Sequence, residues 1–470
     1  MAAATHERFA DHDDLTGHGR GRLRRDALAI AAAALDAVDP ERALRRALRL
    51  DGETLHVGTH AFDLSDRRVF VVGAGKATIG MAAVLDELLG ARIVDGAVVV
   101  KHGQGRPLRH IEVVEAAHPV PDPDSLRGGL RLLGIAEQAQ PADLVIALIT
   151  GGSSALAIAP AEGISFDDKV ATNRLLLASG ADIVSINNVR KHLSRIKGGL
   201  LAAACGCEVL NVSVSDVVGD PPDYFTDLTV PDRSTFAMAQ AVCDRFGLWD
   251  RLPAAVATRL RRADPAQETP KAIERITTVV VANSAMMCEA AAGEAGRRGY
   301  DARVVTLELE GEATAAGAWL ADELERAPAQ PDSNGHDVCL IAGGENTVTL
   351  DGPGAAPDSA GPSAAAGVGG GGPNQEAALA AAAPLAAAGF PAAVLCLDSD
   401  GTDGPTDAAG GLADDLTVER AQAAGVDLGD ALRRHDTRDC LAALGDLVVT
   451  GPTGTNVNDL KLALRAATPD

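Results

Sequence analysis

The stretch Asn187–Asp220, NNVRKHLSRIKGGLLAAACGCEVLNVSVSDVVGD, begins with a cationic segment in an otherwise acidic chain. The chain has a net charge of −23, yet four of the eight residues from Arg190 to Lys197 are cations. The pattern predicts a helix on which Lys191 and Arg195 share one face, and Arg190 and Lys197 share another.

A strand is predicted directly after this segment, because Glu208 to Val214 alternates apolar with small or polar residues. The strand ends at Ser215-Asp216. A cationic helix that leads into a strand ending in a carboxylate favours a site for an anionic substrate and a general base. The alternative interpretation is a solvated basic face beside an ordinary polar turn.

Composition limits the class of protein. A chain of 470 residues with 46% apolar residues is long enough for two or three domains with sizeable cores. The excess of acidic charge argues against a nucleic-acid-binding protein. Seven Lys stand against 35 Arg, and an acid-rich, Lys-poor composition leads us to hypothesise a halophilic protein from a high-salt cytoplasm.

The cysteines and the termini predict a cytoplasmic protein. The seven Cys show no paired metal-ligand spacing, and an odd number without a signal peptide is typical of reduced, intracellular proteins. No run of about twenty strongly apolar residues is present, so no membrane segment is expected.

Two Gly-rich loops follow predicted buried strands. The first strand leads into Gly73-Ala74-Gly75-Lys76 and a helix, and the second leads into Thr150-Gly151-Gly152-Ser153-Ser154. A strand, a Gly turn and a helix N-terminus can present backbone N–H groups to an anion. The first loop has neither the Walker A spacing nor a complete GxGxxG, since Thr78 holds the third position.

Strands that alternate with helices predict an α/β fold with a mainly parallel sheet. In such sheets, ligands bind outside the carboxyl ends of the strands. Both Gly-rich loops and Asp216 fall at such ends, so we expect them to meet at one site.

Two polar loops mark the C-terminal half. A strand over Ala393 to Leu397 leads into Asp398–Asp407, which holds four Asp and suggests a Mg²⁺ or polyol site. A surface turn is the alternative. A short strand at Leu447 to Val449 leads into a Gly/Thr-rich loop, and a helix is predicted after Asp459.

These segments together resemble the class II glycerate kinases, the glycerate 2-kinase family with a C-terminal MOFRL domain. The motifs that carry the resemblance are VVGAGKA, TGGSSAL, NNVRKHLSRIKGG, VSDVVGD, GGENTVT, NQEAAL, SDGTDGPTDAAG and TGPTGTNVNDL, in family order over nearly the whole chain. The resemblance implies ATP- and Mg²⁺-dependent phosphorylation of D-glycerate to 2-phosphoglycerate. It also implies two α/β domains with a cleft between them, the larger one Rossmann-like.

On this basis we expect a disordered tail over residues 1–22 and a Rossmann-like domain over residues 23–265. A C-terminal region is expected over residues 275–470, with the MOFRL domain at about 335–465. The expected partners are D-glycerate and ATP, with no nucleic acid and no membrane. A homodimer is left open.

The resemblance also implies roles for individual residues. Lys76 matches the family's essential lysine and Asp216 its proposed base. Substrate binding is assigned to Arg190, Lys191, Ser153 and Ser154. Nucleotide binding is assigned to Gly73, Gly75, Gly151, Gly152, Lys197, Gly343, Gly344, Glu345, Asn374, Thr402 and Asp403. Metal binding is assigned to Asp216, Asp400 and Asp403.

The sequence departs from the family pattern at one position, and two alternative functions remain. The family usually has Arg before Asn-Gln-Glu, and this chain has Pro373, so an arginine that could clamp phosphate is missing. One alternative is an NAD(P)H-dependent hydroxypyruvate reductase, because Asp95 lies twenty residues after Gly75, as a dinucleotide fingerprint requires. The other is a sensor that binds a sugar acid or nucleotide without turnover.

Overall fold

The computed structural model describes residues 8–10, 12–215, 228–327, 337–350 and 370–467. These residues form one three-stranded sheet and two six-stranded sheets.

The N-terminal residues are folded where disorder was expected. The helices are α1 (His12–Thr16), α2 (Gly21–Ala37) and α3 (Pro40–Ala47). The side chains of Phe9 and Leu15 are fully buried, so the described part of the segment 1–22 packs as part of the core. The predicted start of the second helix is confirmed, because Asp39 caps α3 by accepting a hydrogen bond from the Arg42 N–H at 2.8 Å.

A small antiparallel sheet follows, which sequence reasoning did not predict. Its strands are β1 (Leu48–Asp51), β2 (Thr54–Val57) and β3 (His60–Asp63). The strands are four residues long and only half-buried, so their apolar alternation is too short to be recognised in a sequence.

The first six-stranded sheet is wholly parallel and has the order β6-β5-β4-β7-β8-β9. Its strands are β4 (Val69–Ala74), β5 (Ile93–Lys101), β6 (Glu112–Ala116), β7 (Leu144–Ile149), β8 (Glu208–Val214) and β9 (Ile276–Ala282). This is the strand order of doubly wound dinucleotide-binding sheets, so the Rossmann-like prediction is confirmed. The order reverses between β4 and β7, and the crevice of such sheets lies at this point.

The helices associated with this sheet are α4 (Thr78–Leu89), α5 (Pro123–Gln138), α6 (Ser153–Leu156), α7 (Phe166–Leu177), α8 (Ile183–His192), α9 (Leu200–Ala204), α10 (Phe236–Arg245) and α11 (Ala254–Arg262). Every residue of β4 and β7 is buried, as expected for parallel strands that are covered on both faces.

The cationic segment is only partly helical, which corrects the predicted shared faces. Helix α8 ends at His192, and residues 193–199 form turns. The backbone leaves the helical path at Leu193, with φ −105° and ψ 19°, and Gly198 and Gly199 turn it again after Lys197, with φ of 65° and 79°. Arg195 and Lys197 therefore do not extend the faces of Lys191 and Arg190.

The second six-stranded sheet is mixed, with the order β10-β11-β15-β12-β13-β14. Its strands are β10 (Asp301–Glu312), β11 (Val338–Thr347), β12 (Ala392–Asp398), β13 (Gly410–Asp414), β14 (Leu447–Val448) and β15 (Asp459–Arg465). The helix predicted after Asp459 is wrong, because these residues form β15, antiparallel to both β11 and β12. All but one of its residues are buried, and Leu460, Leu462 and Leu464 alternate with the other residues, which is the period-two pattern of a strand that the helix prediction overlooked.

The helices of this half are α12 (Ser284–Arg297), α13 (Ala313–Arg326), α14 (Pro373–Ala388), α15 (Thr417–Ala424), α16 (Leu428–Arg433) and α17 (Thr437–Leu444). Helix α2 packs against α12, β12 and β15, although it precedes the first sheet in the chain. Helix α2 thus packs with the C-terminal half of the molecule. The expected domain over residues 23–265 assigned this helix to the first sheet instead.

A buried ion-pair network fixes α2 to the C-terminal half. The Arg24 side chain is fully buried and donates to Asp414 at 2.6 Å and to Asp446 at 2.8 Å. Both carboxylates are also fully buried. Buried charges of this kind are stable only while every partner is present.

In the described part of the chain, no helix has both the length and the apolar composition needed to cross a bilayer.

We expect Arg24→Met to lower the free energy of unfolding by about 3–5 kcal/mol, because it leaves the buried Asp414 carboxylate without its ion-pair partner and removes one of the two arginines that pair with Asp446. The exposed neighbour Arg25 provides the control, and Arg25→Met should change the free energy by no more than about 0.5 kcal/mol. Urea denaturation of the three proteins measures both values. Equal stability of the two variants would show that the network is dispensable.

Candidate active site

The two Gly-rich loops meet at the crevice between β4 and β7. The Thr150 N–H donates to the Ala74 carbonyl at 3.1 Å, and the Lys76 N–H donates to the Gly151 carbonyl at 2.9 Å. Gly75 has a φ of 141°, and a Cβ there would lie 1.9 Å from the Thr150 hydroxyl oxygen. Only glycine fits this close approach of the two loops.

The expectation that the first loop presents free N–H groups to an anion is not supported. Its N–H groups are used within the protein: Gly75 donates to Val99, Lys76 to Gly151, and Ala77 to the Thr150 hydroxyl. An anion at this position would therefore meet the Lys76 side chain rather than the loop backbone.

Lys76 joins the two halves of the molecule. Its ammonium lies 3.4 Å from the Asp400 carboxylate, which belongs to the loop after β12. Its aliphatic stem packs over Gly152, where an added Cβ would lie 3.3 Å from Lys76 Cγ. Both side chains keep partial access to solvent, at 29% and 15%. The pair is therefore placed where a ligand could reach it from the cleft.

A second group of cations lies behind the Ser153-Ser154 turn. The Lys197 ammonium donates to the Ser154 hydroxyl at 2.6 Å and also to the Ser154 carbonyl. Lys169, on α7, donates to the Leu193 carbonyl at 3.1 Å, and Arg190 donates to the Asn173 side chain at 3.2 Å. We call Lys169, Arg190 and Lys197 the cation cluster.

The cation cluster has no carboxylate partner among the residues that the structure describes. The Lys169 and Lys197 side chains are buried, at 1% and 2% exposure. Burial, with Arg190 and Arg259 nearby, lowers the pKa of Lys169 to about 7. Burial, with Lys169 and Arg190 nearby, holds the pKa of Lys197 well below its ordinary value. An anion bound beside these side chains would favour their protonated forms and so raise both pKa values.

Two other cations of the sequence stretch have structural partners. Lys191 was expected to bind substrate, but its buried ammonium donates to Asp232 at 2.6 Å. Asp232 also accepts from the Ser234 and Thr269 hydroxyls. Arg195 is exposed and pairs with Glu137 at 3.1 Å.

The second sheet contributes a group of carboxylates. Asp398 ends β12 and lies in register with Asp459, the first residue of β15. Asp398 accepts a hydrogen bond from the Asp400 N–H at 2.8 Å, and Asp459 pairs with the buried Lys461 at 2.7 Å. Burial, followed by the charges of Asp400 and Asp459, raises the pKa of Asp398 well above its ordinary value. A cation brought to this edge would relieve that repulsion.

Asp403 holds the start of α14. One of its oxygens accepts from the Asn374 N–H at 3.0 Å, and the other accepts from the Gln375 N–H at 2.8 Å. Asn374 also donates to Asp459 at 2.9 Å. Burial raises the pKa of Asp403 to about 7. Both oxygens are thus engaged with a helix N-terminus, which reduces what Asp403 could offer to a metal ion.

The other residues of this half that were predicted to bind nucleotide are either packed within the sheet or exposed at its end. Gly343 and Gly344 lie where β11 packs tightly, and a Cβ on Gly344 would lie 2.4 Å from the Leu309 backbone. Glu345 and Thr402 are exposed at the same end of the sheet. Asp216, predicted as base and metal ligand, lies outside the described residues.

His118 lies at this site although sequence reasoning did not select it. It follows β6, whose carboxyl end lies at the same sheet edge as Lys76 and Gly152. A Cβ on Gly152 would lie 3.1 Å from the imidazole of His118. The available signal was its position after a strand of the parallel sheet, the same criterion that selected both Gly-rich loops.

The burial of Lys169 predicts a pH-dependent stability. Its folded pKa of about 7 is lower than its ordinary value of 10.5, so between these pH values only the unfolded chain keeps the proton. Stability rises with pH wherever the unfolded state binds more protons. Relative to Lys169→Met, the wild type should therefore gain stability from pH 7 to pH 10, by at most about 1.4 kcal/mol per pH unit. Urea denaturation at pH 7, 8.5 and 10 tests this, and a constant difference would contradict it.

Comparisons with known proteins agree with this arrangement. Two family models match the chain: a domain of unknown function, DUF4147, over residues 26–261, and the MOFRL family over residues 338–459. The chain is 37% identical to glycerate 2-kinase of Pyrococcus horikoshii, over 94% of this chain and 97% of that protein. It is 39% identical to a putative hydroxypyruvate reductase of Agrobacterium vitis, over 84% and 87%.

A solved structure is similar over the same extent. The crystal structure of glycerate kinase from Thermotoga maritima matches with a TM-score of 0.81 at 34% identity, and the match covers 95% of this chain and all of that one. The similarity thus extends over both halves of the chain. The chain belongs to the glycerate kinase family with a C-terminal MOFRL domain.

Proposed function

We propose that this protein is a glycerate 2-kinase, which transfers the γ-phosphoryl group of ATP to the 2-hydroxyl of D-glycerate. The observation that carries the proposal is the contact between Lys76 and Asp400 at 3.4 Å, which brings the carboxyl edges of two sheets together. The names of the relatives in Pyrococcus horikoshii and Thermotoga maritima support the same reaction.

The chemistry needs charge neutralisation and positioning more than covalent catalysis. The glycerate hydroxyl oxygen forms the new bond to the γ-phosphorus, and the bond to the ADP oxygen breaks. We propose that Lys76 neutralises the phosphoryl oxygens during transfer. Asp216 is the proposed base that accepts the hydroxyl proton.

The cation cluster is the proposed binding site for the carboxylate of glycerate. Arg190 can bind a carboxylate through two N–H groups, and Lys197 already holds the Ser154 hydroxyl at 2.6 Å. Ser153 lies one residue away in the same turn. We leave Lys191 out of the binding set, because its ammonium is neutralised by Asp232.

The proposed nucleotide site lies between the two Gly-rich loops and the end of the second sheet. Glu345 and Thr402 are exposed there and can contact the nucleotide directly. Gly343 and Gly344 contribute to the proposed nucleotide site by allowing the close packing of β11. Asn374 contributes by fixing the start of α14 through Asp403. Pro373 is the first residue of that helix, so the arginine usual in the family has no counterpart at this position.

Mg²⁺ fits the carboxylates at this edge. Asp398 and Asp400 lie two residues apart, and Mg²⁺ is typically held by one or two carboxylates together with phosphate oxygens and water. Among the described residues, the carboxylates near Asp398 and Asp400 do not place three ligand atoms within 4.8 Å of one another. A metal site formed by protein ligands alone would require such a group. When bound, the ion would neutralise charge on the phosphate oxygens. Asp400 and Asp216 are the proposed ligands, with Asp398 beside them.

The reductase alternative is weaker, although one relative bears that name. Its key residue would be Asp95, which should be free to bind a ribose hydroxyl. Arg131 donates to Asp95 at 3.0 Å, and Asp95 also accepts from the Gly96 N–H. A carboxylate engaged in this way is a poor ribose ligand.

We further propose a cytoplasmic location in a halophilic cell. All seven Cys are free thiols, as is typical of a reducing compartment. The net charge of −23 requires screening of like charges, which concentrated salt supplies.

The first test is a product assay by phosphorus NMR with Mg-ATP and D-glycerate in concentrated KCl. We expect 2-phosphoglycerate from the wild type and a loss of about 100-fold or more in kcat for Lys76→Ala, which removes a cation from the transferring phosphoryl group. Arg195→Ala is the matched control from the cationic stretch, and its rate should stay within about twofold of the wild type.

Other products would decide between the alternatives. A 3-phosphoglycerate signal would contradict the regiochemistry but leave a kinase. Oxidation of NADH by hydroxypyruvate without ATP turnover would establish the reductase instead.

The salt proposal is tested by thermal unfolding. The melting temperature should rise between about 0.1 M and about 1 M KCl, because the Debye length falls from about 10 Å to about 3 Å and repulsion between acidic groups weakens. Sucrose at equal osmolality controls for general solvent effects. A protein that is equally stable in both KCl concentrations would contradict the proposal.

A further inference from the structure

His118 shares one glycine surface with Lys76. The point where a Cβ of Gly152 would stand is 3.1 Å from His118 Nε2, 3.1 Å from its Cδ2 and 3.3 Å from Lys76 Cγ. The imidazole and the lysine stem therefore both lie against the same side of Gly152. This position places His118 near the residue that we propose to neutralise the phosphoryl group.

The imidazole of His118 has no hydrogen-bond partner among the described residues, although it is partly buried. Two other histidines near this sheet are engaged by carboxylates: His102 by Asp122 at 2.9 Å, and His192 by Glu268 at 2.6 Å. The ring nitrogens of His118 are not among the fully buried, unpartnered atoms of the described residues, so they stay accessible. A ligand oxygen at this position could therefore hydrogen-bond the ring.

The surroundings keep the ring neutral. Burial, followed by the charges of Lys76 and Lys101, lowers the pKa of His118 to about 4, while Asp400 acts in the opposite direction. A neutral imidazole can donate one hydrogen bond and accept another. It is therefore suited to orient a hydroxyl or carboxylate group while the lysines supply the charge.

The position of His118 also favours a contact with the acceptor substrate rather than with the nucleotide. His118 contacts Gly152, the residue before the Ser153-Ser154 turn, and the Ser154 hydroxyl is held by Lys197 of the cation cluster. The carboxylates that would serve the nucleotide and metal belong to the other sheet.

We propose that His118 contacts the acceptor substrate, and that its imidazole hydrogen-bonds an oxygen of the bound hydroxy acid beside Lys76. This inference rests on the proposed kinase function. It adds to the site a residue that fixes the orientation of the acceptor relative to the phosphoryl group.

The test compares His118→Ala, His118→Gln and the control His102→Gln in steady-state kinetics, with D-glycerate and ATP varied separately. The loss of a hydrogen bond to substrate should lower kcat/KM for D-glycerate by about 10- to 100-fold in His118→Ala, with the KM for ATP within about twofold. His118→Gln should recover part of the loss, because its amide can still donate. His102→Gln should behave as the wild type, since His102 bonds only Asp122 at the edge of the fold.

Each result is informative. An active wild type with unchanged kinetics in His118→Ala overturns the assignment and leaves the kinase function standing. A rise in the KM for ATP instead of D-glycerate overturns the acceptor contact. A folded wild type with no activity toward D-glycerate overturns both this assignment and the proposed function. Thermal unfolding of each variant separates these results from misfolding, and His118→Gln remains informative if His118→Ala does not fold.

Discussion

The ion pair between Lys76 and Asp400 is the contact on which the candidate site depends. Lys76 comes from the point where the strand order of a parallel sheet reverses, and Asp400 comes from the loop after β12 of a mixed sheet. Each residue alone would be a surface charge on a loop. Together they define a cleft, because their 3.4 Å contact requires the carboxyl ends of β4 and β12 to face each other. Helix α2 strengthens this arrangement from a distance, since the buried Arg24 network ties the N-terminal residues to the second sheet.

Charge is segregated across this cleft. The first sheet contributes buried basic side chains without carboxylate partners in the described ranges. The second contributes carboxylates, and burial followed by the charges of Asp400 and Asp459 raises the pKa of Asp398. Neither arrangement is favourable in an empty protein, because burial penalises an unpaired charge of either sign. An acid that binds the cations and a metal–nucleotide that binds the carboxylates would each remove part of that cost. Bound ligands of opposite charge would favour the charged forms of these groups.

The sequence predictions failed where local pattern and tertiary role diverge. The cationic stretch has helical spacing, yet the helix ends at His192, so Lys191, Arg195 and Lys197 meet three different environments. The helix predicted after Asp459 failed for a different reason, because Leu460, Leu462 and Leu464 carry the period of two of a strand and this pattern was overlooked. His118 was missed because a lone histidine after a strand carries no motif. Its neighbours Lys76 and Gly152 are distant in sequence and close only in the folded chain.

The sequence by itself determined the α/β class, the mainly parallel sheet, the family motifs and the two loops that carry Lys76 and Asp400. These follow from hydrophobic periodicity and from short segments whose chemistry is local. Only the tertiary structure decided which charges are available. It placed Lys191 in an ion pair with Asp232, engaged Asp403 with a helix N-terminus, buried Lys197 against Ser154, and set His118 against Gly152. The physical reason is that the partners of a charged group are chosen by packing between elements that are far apart in the chain.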